Sequence, residues 1–194
     1  MRRLQTLATL AGVAVLALPP VRRWLEASMT LHMLVQFPLL VAAGFLLART
    51  LPARARAGID AWNAQGVAGL LACALTLMVL MIPRLLDLAL VDPRVEALKW
   101  LALLACGAAL QLSWARVSLA VQVFFLGNVL PMTAAVGQLY QDAPLRVCNA
   151  YLLDDQVRLG QGLVALSVLA AALAIVHGVW RAGGLSLLRA REEL

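Results

Sequence analysis

Apolar residues run along this chain in long blocks, not in the alternation of a soluble domain, and polar residues gather in short breaks between the blocks. The first block, residues 4–18, follows Arg2 and Arg3 and ends at Pro19-Pro20. A basic start and a short apolar stretch fit either a signal peptide or a first helix. Val21-Arg22-Arg23 directly after the prolines, and the lack of a small-x-small cleavage site, favour an uncleaved helix. Residues 29–48 are long enough to cross a hydrocarbon layer of about 30 Å. Residues 66–90 form a third block, interrupted at Pro83-Arg84. As one helix, residues 97–137 would measure about 60 Å, twice that layer, so the chain must turn, most naturally at Gln111–Arg116. The pattern predicts an all-α fold: one integral membrane domain over 1–194, a polytopic helical bundle. It has about six transmembrane helices, near 4–20, 29–48, 66–90, 95–113, 116–137 and 157–180.

Composition agrees with that solvent. Hydrophobic residues make up 63% and charged residues 13% of the chain, with mean hydropathy +0.87. A soluble domain is nearer half apolar and a quarter charged, and disorder needs far less hydrophobicity. The net charge of +6 comes from arginines scattered singly or in pairs between apolar blocks. That placement suits loops that orient helices and touch anionic lipid, and no basic stripe interleaved with aromatics points to nucleic acid. Trp24, Trp62, Trp100, Trp114 and Trp180 fall near the predicted helix ends, where indole rings prefer the headgroup level. Counting Lys and Arg on alternate loops, with Lys99 in the outer set, leaves a slight excess on the side of the termini. The positive-inside rule then puts both termini in the cytoplasm.

No enzyme motif is evident, so the chain reads as a non-enzyme: no phosphate-cradling glycine loop, no HExxH and no Ser/His/Asp set. His32 and His177 fall near opposite membrane faces, which argues against a shared haem. Met29, His32 and Met33 have i, i+3, i+4 spacing, which puts two thioethers and an imidazole on one helix face. Met81 and Met132 are expected at the same outer side, and this soft donor set suits Cu(I). The plainer alternative is that methionine fills gaps in a core. Gln36, one turn from His32, is placed to orient its ring. Arg84 and Asp87 are expected to pair locally, and Pro38, Pro83 and Pro131 to kink their helices. Asp154, Asp155 and Gln156 open the last helix, where acidic side chains cap free amides; a carboxylate site beside the methionines is the alternative. Cys73, Cys106 and Cys148 form no CxxC pair and read as buried thiols.

Two segments resemble the CtaG family of cytochrome c oxidase assembly factors. Residues 31–43, Leu-His-Met-Leu-Val-Gln-Phe-Pro-Leu-Leu-Val-Ala-Ala, are similar to that family's His-Met-x-Gln-His helix. Residues 152–160, Leu-Leu-Asp-Asp-Gln-Val-Arg-Leu-Gly, resemble its Leu-Glu-Asp-Gln-Gln-x-x-Gly motif. Residues 116–140 share its basic helix start, Leu-Gly step and Leu-Tyr exit, so the likeness runs loosely over 28–180. The family's second histidine is Gln36 here. The resemblance implies a multi-pass protein of the bacterial inner membrane that aids assembly of, or copper delivery to, a copper-containing respiratory oxidase. Its site would comprise His32, Met33, Asp155 and Gln156, with Asp154 in the family's Glu position. The expected partners are membrane lipid and subunits of the oxidase or of another membrane complex. Two alternatives stand beside it: a non-catalytic subunit or scaffold contacting partners through small-residue faces such as Ala105/Ala109, and a small transporter, disfavoured by the lack of an internal repeat.

Overall fold

The computed structural model describes the backbone of residues 2–192 and the side chains of residues 3–180. Within them the chain is all-α: α1 (Arg2–Ala17), α2 (Pro19–Glu26), α3 (Met29–Ala48), α4 (Ala53–Trp62), α5 (Val67–Leu80), α6 (Pro83–Val91), α7 (Pro93–Trp114), α8 (Leu119–Asp142) and α9 (Leu153–Glu192). Helices α3, α7, α8 and α9 to Trp180 are long and apolar enough to cross a membrane. The number rises to six if the bent pairs α1–α2 and α4–α5 each make one span.

The differences from the sequence expectation have local causes. The block 66–90 is not one helix. Pro83 has no N–H and biases its predecessor away from helical ψ, and Ile82 is extended at ψ 119°, so the block divides into α5 and α6. Pro19 acts likewise on Leu18, and α2 leaves α1 at 68°. Gly66, at φ 77°, precedes α5, and α4 meets α5 at 84°. Eight-residue α2 and ten-residue α4 are about 12–15 Å long, too short to cross a bilayer. In α2, Leu25 is buried while Trp24 is exposed, the amphipathic habit of a helix lying in an interface.

Close backbone contact sets the relative direction of the long helices. A Cβ at Gly44 would collide with the Leu104 carbonyl, and one at Gly107 with the Val41 carbonyl. Lys99 of α7 meets His32 near the start of α3 while Gly107 meets Val41 and Phe45 further along it, so α3 and α7 run parallel with backbones touching, the approach that small residues permit between membrane helices. Ala105, by contrast, points outward. Contacts of Ser28 with Asp155 and of Gly162 with Leu34 make α9 parallel to α3 as well. Helix α5 is antiparallel to α7, through Gly69 with Ser113 and Cys73 with Cys106. Helix α8 is antiparallel to α9, meeting it at Gly137 and Gly160. The N-termini of α3, α7 and α9 thus share one end of the bundle with α2, α6 and the 143–152 connector (the α2 end). The opposite end carries α4 and the α7–α8 turn (the α4 end).

Candidate functional site

At the α2 end, α3 begins with one ordinary turn and then takes a π-helical turn over His32–Gln36. Pro38, two residues on, cannot donate to Leu34; the helix widens before it and the Phe37 amide reaches back to the His32 carbonyl. Single π turns of this kind are frequent at functional sites. Here the turn points both His32 and Gln36 inward, each fully buried.

Between them lies the ammonium of Lys99, one and a half turns into α7 and 3% exposed. Its Nζ is 2.7 Å from His32 Nε2, 3.1 Å from Gln36 Oε1 and 3.4 Å from Glu26 Oε1. It also pairs at 2.7 Å with Glu96 Oε2, off the hydrogen-bonding direction. Gln36 Nε2 donates to Glu26 Oε1 at 3.4 Å, Trp100 Nε1 donates to Glu96 Oε1, and Arg22 pairs with Glu26 at 3.5 Å. The Phe37 ring closes the cage 6.0 Å from Nζ and meets His32 edge-on. With Arg22, Lys99, Glu26 and Glu96 charged, the cluster is neutral. A protonated lysine only donates, so His32 Nε2 is the acceptor; Nδ1 then carries the ring hydrogen and donates to Tyr151 Oη at 2.7 Å.

The connector seals this end. Asp87 accepts the Asn149 and Ala150 amides at 2.9 and 3.2 Å; this is its role, not the local pairing with Arg84 that the spacing predicts. Gln156 accepts from the Val147 amide at 2.8 Å and donates to the Tyr140 carbonyl at 3.0 Å. Tyr140 Oη donates to the Met81 carbonyl. Burial, with Glu26 next in effect, pushes the Tyr151 phenol above its ordinary range. Burial and then Asp87 push the Cys148 thiol up to about 12.

The structure gathers most of the residues singled out in the sequence, in altered roles. Asp155 does cap a helix, but the helix is α3: its carboxylate accepts from the Met29 amide, from Ser28 Oγ at 2.9 Å and from Thr30 Oγ1 at 2.8 Å. Asp154 is exposed. Met29 and Met33 lie in a buried cluster with Tyr140, Cys148, Tyr151 and Leu159, and Met81 packs against it. Met132, half-buried on α8, lies outside that cluster. Gln36 contacts Lys99 and Glu26 instead of the His32 ring. His177 is exposed on the distal part of α9.

Sequence reasoning missed the partners. Loop counting assigns Lys99 to the outer charges, yet it is the centre of the site, and Glu26, Glu96 and Tyr151 belong to no motif that the sequence shows. The available signal was a lone lysine inside the apolar run of α7, three residues after Glu96. Cys73 and Cys106, 33 residues apart, are neighbours across α5 and α7, with sulfurs 2.8 Å apart.

The donor set does not fit copper at His32. Both ring nitrogens are bonded, one of them to a cation, and any metal there would have to displace Tyr151 or Lys99. Among the described residues, no group of three or more His, Cys, Asp or Glu is arranged to hold a metal ion. Compared with protein-family models, with curated proteins and with solved structures, the chain matches none.

Proposed function

We propose that this chain is a multi-pass protein of the bacterial inner membrane that assists assembly of a copper-containing respiratory oxidase by holding client subunits, as a non-catalytic scaffold. One observation carries the reading. The two segments that resemble the CtaG motifs lie more than a hundred residues apart in sequence, yet each meets the residues flanking the other at one end of the bundle: Asp155 bonds Met29 and Thr30 just before the first, and His32 bonds Tyr151 just before the second. Hydrogen-bonded to the connector, that end offers a surface for a partner. Outward apolar side chains on α8 and α9, such as Phe124, Leu166 and Leu173, offer lipid or a partner helix a second face.

Copper delivery, the second reading, has its own support. Met29, Met33 and Met81 gather with Cys148 in one buried cluster, a soft set suited to Cu(I) and separate from the His32 nitrogens. The two readings divide in a strain lacking the chain. A scaffold predicts a fall in assembled oxidase, seen in reduced-minus-oxidised haem spectra of membranes, that excess copper in the medium does not repair. Repair by copper favours delivery, and an unchanged oxidase level rejects both.

A further inference from the structure

We infer that the cage at the α2 end is a binding site for a primary ammonium ion, and that Lys99 is its resident, tethered occupant. Three hydrogen-bonding partners from α2 and α3 converge on Nζ, His32 Nε2 at 2.7 Å, Gln36 Oε1 at 3.1 Å and Glu26 Oε1 at 3.4 Å, and the Glu96 carboxylate of α7 forms an ion pair with it at 2.7 Å. These separations span the range of N–H donation and of N–O ion pairs. The Phe37 face supplies the aromatic wall that cations favour. Two carboxylates facing one ammonium, with Arg22 balancing the second, match the charge of a monovalent cation.

A second feature extends the site. Beside the cage lies an apolar cavity of about 390 Å³, walled by Phe37, Leu75, Val79, Leu86 and Leu98 and by the Lys99 side chain itself. Shortening Lys99 joins cavity and cage into a single amphiphilic pocket, polar at one end and hydrocarbon along its length. Its ligand class is a short n-alkylammonium. The inference stands on this geometry alone and is independent of any client.

The test is rescue of Lys99→Ala in detergent by n-propylammonium, the piece that the substitution removes. Lys99→Ala is expected to unfold at a lower temperature than wild type, and propylammonium on the order of 10 mM to restore at least half of the loss by mass action. Tetramethylammonium, which has no N–H, should restore none. Co(II) should give no one-to-one visible absorption. Equal recovery with both cations, no recovery with either, or stoichiometric Co(II) binding would each overturn the inference. Where Lys99→Ala yields no folded protein without amine, the readout is the monodisperse yield after extraction with and without propylammonium, and equal yields count against the site. Wild type provides a further check, because Lys99 is the chain's single lysine. Nitrogen-15 lysine labelling should show one slowly exchanging NH₃⁺ signal; an NH₂ signal, or exchange as fast as free lysine, would contradict a caged ammonium.

Discussion

The two ends of the bundle solve the same problem with different chemistry. At the α4 end, buried Asn63 donates to Ser113 Oγ at 2.8 Å and accepts from the Gly69 amide at 2.9 Å, tying the α4–α5 bend to α7. Arg116 adds a bond to the Asn63 carbonyl and a half-exposed pair with Asp60, which contributes little in water. At the α2 end, helices are joined through an imidazole, an amide, two carboxylates and an ammonium, all nearly out of solvent. Neutral hydrogen bonds are enough to hold helices together, as the α4 end demonstrates. A buried charge cluster roughly breaks even against apolar packing, so stability alone does not account for the α2 end. The contrast makes the charged end the candidate for binding or recognition.

The largest test of this contrast removes one charge. Lys99→Met should destabilise the protein by about 3–5 kcal/mol, because the cluster is left with one buried carboxylate lacking a counter-charge. Adding Glu96→Gln, which leaves the Arg22–Glu26 pair balanced, should recover most of that loss, measured by unfolding in mixed detergent micelles. If the double variant is no better than the single, the lost charge balance is not the cause. At the neutral end, Asn63→Ala should cost about 2 kcal/mol by leaving Ser113 and the Gly69 amide without their partner. A loss as large as that of Lys99→Met would erase the distinction between the ends.

Smaller effects sharpen the description of the α2 end. Asp155→Ala removes the cap of α3 and should cost about 1 kcal/mol. It should also loosen the first turns of that helix, seen as faster amide exchange at Met29 and Thr30 while α5 stays protected. Cys148 gives a pH signature. Because its thiol is pushed up to about 12, the thiolate is scarce at pH 8 and grows tenfold per unit. In a Cys73→Ala/Cys106→Ala background, iodoacetamide labelling should therefore rise about a hundredfold from pH 8 to 10, against about fourfold for a thiol of ordinary pKa near 8.5. A fourfold rise would mean that the connector does not bury Cys148.

How much of this was legible in the sequence depended on the range of the physics involved. The 29–48 helix and the helices around 95–113 and 116–137 follow from apolar length, a local property. The helical face expected for Met29, His32 and Met33 follows from periodicity, and all three are buried, Met29 and Met33 in one apolar cluster and His32 between Tyr151 and Lys99. The short helices α2 and α4 were missed because eight and ten residues with mixed polarity resemble loops when only spans are sought. Lys99 was misread because positive-inside counting assigns every Lys and Arg to a loop, whereas a lysine with two carboxylates and an imidazole in reach can be held between helices. Asp155 capped a neighbouring helix because α9 starts beside α3, a tertiary fact with no local signal.

The most direct measurement of the central claim is the copper content of detergent-purified protein after anaerobic Cu(I) loading, wild type beside His32→Ala. With both His32 nitrogens held by Tyr151 and Lys99, the two proteins should retain the same amount of copper per chain. Near-stoichiometric copper in wild type that disappears in His32→Ala would contradict the caged lysine and return His32 to the role of a metal ligand.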